Sequence, residues 1–207
     1  MNNISFTQKK VIIFDLDGTI VNLTVDWMAL KDNLVEKYRE IYKEQCDFER
    51  VSRCLEKIVE KNDENILENF FGVIRHYELE NIRDTQLIEE TIFFIKNKDL
   101  FGVKNDAKFA ILSLNVRDTI IQALELANIH DKIELIIGRE DVRKWKPGPE
   151  GLIKIQNHFK IKKEEMVYFG DLENDLLTGE NAGIDTYLID DLINLVNKKK
   201  SVKKYKK

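Results

Sequence analysis

Cysteine, proline and histidine are scarce in this 207-residue chain, and each scarcity narrows the range of possible functions. Cys46 and Cys54 form no CxxC pair and predict no disulfide framework, so a reducing cytoplasm is the expected location. Three scattered histidines and two cysteines form no cluster, which argues against a zinc site. The two prolines both lie within 147–149 and mark one stiff loop.

Long apolar runs and an excess of positive charge are also missing. No run approaches the roughly 18 apolar residues that a membrane span requires, and residues 1–10 lack the apolar core of a signal peptide. The chain has 37 acidic and 33 basic side chains, and seven of the lysines fall within 198–207. The remainder is therefore acidic, which argues against a nucleic-acid partner. The lysine-rich end is predicted to be a frayed, solvated terminus.

Short apolar runs alternate with helix-like stretches through most of the chain, a pattern typical of a doubly wound, parallel α/β sheet. The first predicted strand is Val11–Phe14, and the others are 109–112, 135–137, 167–169 and 186–189. Predicted helices at 117–127, 149–159 and 174–182 separate the later strands.

The region after the first strand interrupts this alternation. Nothing in 25–80 reads as a strand, and helical spacing of apolar residues predicts helices at 27–43, 48–60 and 64–77. A further helix at 87–96 is expected to return the chain to the sheet. The predicted organisation is a Rossmann-like α/β core domain formed by 1–21 and 84–207, with a small α-helical cap domain at 22–83.

Two carboxylates follow directly on the first predicted strand. Asp15 and Asp17 lie in the sequence DLDGT, where Gly18 ends the strand. In an open α/β sheet, ligands bind at the carboxyl ends of the strands. Two acids held this close repel each other, and a divalent cation is the usual compensation.

Polar residues also follow three later strands. Ser113 and Asn115 come after the second predicted sheet strand, in a turn that leads to a helix N-terminus and suits an anion. Lys146 precedes the prolines of the KPGP segment, which can place a cation accurately. Asp171 and Asp175 occur in GDLEND, four residues apart, so they share a face if a helix begins there.

This set of side chains fits phosphoryl transfer through a covalent intermediate. A carboxylate can attack phosphorus, and a cation together with an ammonium group can neutralise the charge that develops. Hard oxygen ligands suit Mg²⁺ better than zinc. A second carboxylic acid must protonate the leaving group and then deprotonate water, which requires a pKa above the usual value of about 3.9.

With these motifs in order, the chain resembles the haloacid dehalogenase superfamily of phosphohydrolases, in the branch that includes phosphoglycolate phosphatases and β-phosphoglucomutases. The resemblance extends from the first strand to about Gly183, and it departs at Leu114, where relatives often carry Asn.

The resemblance implies a role for each motif residue. Asp15 would be the nucleophile, Asp17 the general acid and base, and Lys146 the residue that orients phosphate and nucleophile. Ser113 and Asn115 would bind substrate. Mg²⁺ would be held by Asp15, Asp17 through its main-chain carbonyl, Asp171 and, in a supporting role, Asp175.

The expected function is a Mg²⁺-dependent phosphatase that acts on a small phosphorylated metabolite. A phosphomutase of the β-phosphoglucomutase type and a non-catalytic binding protein with the same fold remain as alternatives. A true dehalogenase would have no use for Asp17 or for the Asp171 and Asp175 pair. No nucleic-acid or membrane partner is expected, and the sequence carries no signal for an oligomeric state.

Overall fold

The computed structural model of the chain describes residues 4–204. Within that range the strands are β1 (Val11–Phe14), β2 (Val21–Asn22), β3 (Gln86–Leu87), β4 (Lys108–Leu112), β5 (Ile133–Ile137), β6 (Met166–Gly170) and β7 (Asp185–Leu188). The helices are α1 (Trp27–Tyr42), α2 (Val51–Glu60), α3 (Glu64–Glu80), α4 (Glu89–Lys96), α5 (Arg117–Leu126), α6 (Glu150–Phe159), α7 (Glu173–Ala182) and α8 (Ile189–Lys204).

Five of these strands form a parallel sheet in the order β5-β4-β1-β6-β7. The central strand β1 pairs on both sides, so Phe14 lies opposite Ile111 in β4 and Phe169 in β6. Every residue of β1 is buried, as expected for a strand covered by helices on both faces. The predicted doubly wound α/β fold is confirmed, with strand bounds that differ by one or two residues.

The two faces of the sheet belong to separate hydrophobic clusters because neighbouring strand residues point in opposite directions. Phe14 and Phe169 join the cluster that also contains residues of α4, α5 and α8. Ile13 and Tyr168 join the other, which continues into α1, α2, α3 and α6. The second cluster therefore joins the sheet to the inserted helices.

The inserted helices α1, α2 and α3 lie between the two short strands of a separate ribbon. β2 pairs antiparallel with β3, and Val21 lies opposite Leu87. The sequence analysis missed this ribbon and assigned residue 87 to a helix, since two-residue strands show no periodicity. Asp26 and Asp63 accept hydrogen bonds from Ala29 N and Ile66 N and so fix the starts of α1 and α3.

The lysine-rich end differs from the prediction. Helix α8 runs through 198–204, and Lys200 Nζ lies 3.6 Å from Glu90 and 4.8 Å from the centre of the Phe93 ring. The expectation of a frayed terminus is therefore wrong for 198–204. The buried residues Leu192 and Val196 anchor α8, and lysine has a high helix propensity, so the helix continues through the lysine-rich segment. Residues 205–207 lie outside the described range.

The cysteines also differ from the prediction. Cys46 and Cys54 are joined as a disulfide, with their Cα atoms 6.0 Å apart and both side chains buried. The chain folds back from 46 onto the first turn of α2, which a search for CxxC spacing cannot detect.

No helix within 4–204 is both long and apolar enough to cross a membrane.

Candidate active site

A cavity of about 700 Å³ opens at the carboxyl edge of the sheet. Its lining includes six of the seven residues that the sequence analysis selected: Asp15, Asp17, Ser113, Asn115, Lys146 and Asp171. The seventh, Asp175, is buried directly behind Lys146. The topology thus brings residues from four strand ends into one place.

Asp15 lies at the floor of this cavity with only 7% of its surface exposed. Its Oδ1 accepts a hydrogen bond from Leu16 N at 2.7 Å, and its Oδ2 lies 2.8 Å from Lys146 Nζ. Burial raises the pKa of Asp15 and the nearby ammonium group opposes that rise. The carboxylate is therefore fixed in orientation beside a cation.

Asp17 lies beside Asp15 but is held differently. Its Oδ1 accepts a hydrogen bond from Leu23 N at 2.8 Å, and Leu23 lies just after β2. Burial raises the pKa of Asp17, and the negative charge of Asp15 adds to that rise. Gly18 makes this turn possible, because its φ of 73° is in the left-handed region and a side chain there would meet Asp171.

Lys146 connects Asp15 with the acid behind it. Its Nζ lies 2.6 Å from Asp175 Oδ1, and the hydroxyl of Tyr168 donates to the same oxygen at 2.6 Å. Asp175 Oδ2 accepts from Leu172 N at 3.1 Å. Asp175 is thus used to hold Lys146 and the start of α7, and Tyr168, which the sequence analysis did not select, completes the arrangement.

Ser113 and Asn115 form the loop after β4. The Ser113 hydroxyl donates to Asn115 Oδ1 at 2.9 Å, and Asn115 Nδ2 donates to Glu78 Oε1 at 3.0 Å. Glu78 Oε2 accepts from Val116 N at 3.0 Å. Glu78 lies near the end of α3, so the inserted helices hold this loop directly.

The carboxylates of Asp15, Asp171 and Asp175 form an acidic cluster, with one oxygen from each lying within 4.8 Å of the others. Burial, together with the charges of Asp15 and Asp175, raises the pKa of Asp171 to about 6. Asp171 Oδ1 is buried and has no hydrogen-bond partner within the described residues. A buried carboxylate oxygen without a partner, among other oxygen donors, fits a divalent cation such as Mg²⁺.

Comparisons with known proteins establish the family of the chain. The model of the family described as haloacid dehalogenase-like hydrolase matches residues 12–189. The chain belongs to this family. The match confirms the predicted resemblance and the prediction of a hydrolase.

Individual relatives are more distant. The pyrophosphatase PpaX of Halalkalibacterium halodurans is 27% identical over 182 residues, which cover 87% of this chain and 83% of that protein. A Bacteroides fragilis protein described as a haloacid dehalogenase-like hydrolase superimposes with a TM-score of 0.58 at 25% identity, covering 86% of each chain. A Lactobacillus plantarum protein described as a phosphoglycolate phosphatase gives 0.60 at 15% identity, covering 90% and 87%, and shows the shared fold.

The inserted helices supply the opposite wall of the cavity in this haloacid dehalogenase-like hydrolase. The side chains on that wall include Trp27, Lys31, Arg50 and Arg53. Arg50 and Arg53 lie on the segment that the Cys46–Cys54 disulfide closes. This wall is largely cationic, in contrast to the acidic cluster at the sheet.

Two buried charged residues near the cavity were missed by the sequence analysis. Arg139, just after β5, lines the cavity, and Glu78 acts on it electrostatically. Burial raises the pKa of Glu78 to about 7, although Arg139 opposes that rise. Arg139 follows the end of the apolar run of β5 and Gly138, and a polar residue at the end of a predicted strand is a signal that could have identified it. Glu78 lies within a helix, where the sequence offers no comparable signal.

Proposed function

We propose that this protein is a Mg²⁺-dependent phosphatase that hydrolyses a small phosphomonoester through an aspartyl-phosphate on Asp15. The observation that carries the proposal is the buried Asp15 carboxylate, fixed between Leu16 N and Lys146 Nζ at the floor of the cavity. A carboxylate oriented in this way is positioned to act as a nucleophile, and the ammonium group stabilises charge that develops during transfer.

The first step forms a bond between an Asp15 oxygen and phosphorus and breaks the bond from phosphorus to the leaving oxygen. Asp17 donates its proton to that oxygen, which leaves as an alcohol. The raised pKa of Asp17 supports this role, since the residue must hold a proton near neutral pH. Its hydrogen bond from Leu23 N keeps the carboxyl group in place between steps.

The second step reverses the proton transfer. Asp17 accepts a proton from water, whose oxygen bonds to phosphorus while the bond to Asp15 breaks and restores the carboxylate. The Ser113 hydroxyl donates to Asn115 Oδ1 in this structure, and its rotation towards the cavity would let it donate to a phosphoryl oxygen instead. Lys146 stays between Asp15 and Asp175 through both steps.

A divalent cation would be held by Asp15, Asp171 and the main-chain carbonyl of Asp17. When bound, Mg²⁺ would neutralise charge on the phosphoryl oxygens and allow two anions to approach. The unpartnered Asp171 Oδ1 supports this assignment. We assign Asp175 a supporting role, because both of its oxygens are already bonded to Lys146, Tyr168 and Leu172 N.

We also propose that 22–83 forms a cap domain over the core formed by 1–21 and 84–207. The ribbon of β2 and β3 lies where the chain leaves the core and where it returns to it, so it joins the cap to the core. Helices α1 and α2 contribute the far wall of the cavity. A cavity closed on that side suits a small metabolite better than a folded phosphoprotein. We retain the cytoplasm as the proposed location of a hydrolase of small metabolites, and the Cys46–Cys54 disulfide is a feature that a reducing compartment does not predict.

The test is release of phosphate from a panel of small phosphate esters, with Mg²⁺ and with a chelator. Turnover should require Mg²⁺ and should exceed turnover of a folded phosphoprotein. The Asp17→Asn variant should lose roughly 10²–10⁴-fold in kcat on alkyl phosphates, and less on aryl phosphates, whose leaving groups need less protonation. Equal losses on both classes, or undiminished turnover after chelation, would contradict the proposal.

A further inference from the structure

Arg139 is a buried cation whose guanidinium group is poorly satisfied by hydrogen bonds, although Glu78 and Glu140 lie near enough to act on its charge. Only 4% of its surface is exposed, and its Nε and Nη1 atoms are both buried without a hydrogen-bond acceptor in the part of the chain that the structure describes. Buried guanidinium groups are normally paired, because desolvation of an unpaired charge is costly. Since Arg139 also lines the cavity, an anion bound there would offset its charge.

The position of Arg139 is fixed by its own main chain. Its N–H donates to the carbonyl of Asn115 at 2.9 Å, and its carbonyl accepts from Trp145 Nε1 at 2.8 Å. Trp145 is itself buried and packs edge-on against Phe71 of α3, with the ring centres 6.4 Å apart. The side chain therefore starts from an anchored point beside the loop that carries Ser113.

The acids that act on Arg139 are already engaged by other donors. Both oxygens of Glu78 accept hydrogen bonds from the loop after β4, and the raised pKa leaves a large fraction of this carboxyl group protonated near pH 7. The oxygens of Glu140 accept from Arg117 N at 3.2 and 3.0 Å. Within the described residues, neither acid forms a hydrogen bond or a close ion pair with the guanidinium group of Arg139.

The sheet register places Arg139 to one side of the proposed nucleophile. Leu112 at the end of β4 lies opposite Ile137 at the end of β5, and β4 separates β5 from β1. With neighbouring strands about 4.8 Å apart, the main chain of Arg139 starts roughly 10 Å from that of Asp15. Arg139 and Asp15 thus enter the cavity from strand ends that are two strands apart, which leaves room beside Arg139 for a ligand group other than the phosphoryl group at Asp15.

We infer that Arg139 binds a second anionic group of the substrate, so that the substrate class is a small phosphate compound with a carboxylate or a further phosphate a few bonds from the reacting phosphorus. The inference rests on the proposed phosphatase function and narrows its substrate. The opposite wall carries three cations, Lys31, Arg50 and Arg53, and one acid, Glu56. Its net positive charge also favours a substrate with an additional negative group.

Three substrates test this inference on the intact protein. 2-Phosphoglycolate carries a carboxylate, inorganic pyrophosphate carries a second phosphate, and 2-hydroxyethyl phosphate has a neutral hydroxymethyl group in place of the carboxylate of the first. Removing the charge with Arg139→Gln should lower kcat/KM roughly 10–100-fold for 2-phosphoglycolate or pyrophosphate, whichever the wild type hydrolyses, because one charged hydrogen bond is lost. The same substitution should change kcat/KM for 2-hydroxyethyl phosphate by less than about 3-fold. Arg139→Lys should recover part of the loss, because it keeps the charge but not the planar fork.

Arg75→Gln is the matched control, since Arg75 is an exposed arginine that pairs with Asp118 and Glu140 outside the cavity. It should leave the substrate preference unchanged. Equal losses on all three substrates in Arg139→Gln would show that Arg139 only supports the loop, and would overturn the inference.

A binding measurement separates this inference from the proposed reaction. Calorimetric affinities of 2-phosphoglycolate and 2-hydroxyethyl phosphate are compared in Asp15→Asn, with and without Arg139→Gln. A preference for 2-phosphoglycolate that disappears with Arg139→Gln supports the inference even if no phosphate is ever released. Equal affinities for the two compounds in the presence of Arg139 would contradict it.

Discussion

Lys146 Nζ lies 2.8 Å from Asp15 Oδ2, and both groups are almost completely buried. The same ammonium group contacts Asp175 at 2.6 Å, so a single cation serves two carboxylates. Interaction with the two acids raises the pKa of Lys146 despite its burial, which keeps it charged at neutral pH.

Removal of this ammonium group should therefore affect both activity and folding. We expect Lys146→Met to lower kcat by roughly 10²–10³-fold, because a preorganised charge at the developing transition state is lost. The variant should also be destabilised by about 3–5 kcal/mol, since Asp15 and Asp175 are left buried without their cation. Steady-state kinetics and denaturant unfolding test the two effects, and wild-type kcat in Lys146→Met would show that the contact is only structural.

Asp171 and Asp175 should respond differently to Mg²⁺. Asp171→Asn should raise the Mg²⁺ concentration for half-maximal activity at least 10-fold, because its unpartnered oxygen is the proposed ligand. Asp175→Asn should lower kcat with little change in the Mg²⁺ requirement, since its oxygens already hold Lys146 and Leu172 N. Activity of each variant is measured as a function of Mg²⁺ concentration. A raised Mg²⁺ requirement in Asp175→Asn but not in Asp171→Asn would contradict the assignment and make Asp175 the ligand.

Glu78 should make the folded protein less stable as pH rises. Its pKa is about 7 in the folded protein against an ordinary value of 4.5, so the folded state keeps this proton to higher pH than the unfolded chain. The stabilising contribution is complete below about pH 4.5 and is lost as pH rises through about 7, a change of about 3 kcal/mol. The groups that face Glu78 are Arg139, Asn115, Thr119 and Val116 N.

Thermal unfolding of the wild type and of Glu78→Gln between pH 5 and pH 8 measures this contribution. Other buried acids titrate in the same range, so the useful quantity is the difference between the two proteins. That difference should favour the wild type at pH 5 and should shrink or reverse by pH 8. A difference independent of pH would show that Glu78 is ionised throughout.

The sequence predicts those parts of the molecule that depend on local pattern. The apolar run of β1 and the acids after it define the strand end at Asp15, and the later strands repeat the same logic. The two-residue strands β2 and β3 escaped prediction because their pairing joins residues more than 60 positions apart. The Cys46–Cys54 disulfide and the helical course of 198–204 likewise depend on how segments fold back and pack.

The same distinction explains what was missed at the site. Asp175 followed from its motif, but its contact with Tyr168 depends on the packing of α7 against β6. Glu78 and Arg139 act on each other across the junction between α3 and the segment after β5, and neither belongs to a local pattern. Charges that act on each other only through the tertiary fold carry no periodic signal in the sequence.

The central claim is that Asp15 becomes phosphorylated during turnover. The most direct measurement is rapid acid quenching of the enzyme with substrate and Mg²⁺, followed by digestion and mass spectrometry of the peptide that contains Asp15. We expect this peptide to gain the mass of one phosphoryl group within a turnover, and Asp15→Asn to show neither the modified peptide nor phosphate release. Phosphate release by Asp15→Asn at the wild-type rate, or a phosphoryl group on a different residue, would contradict the account.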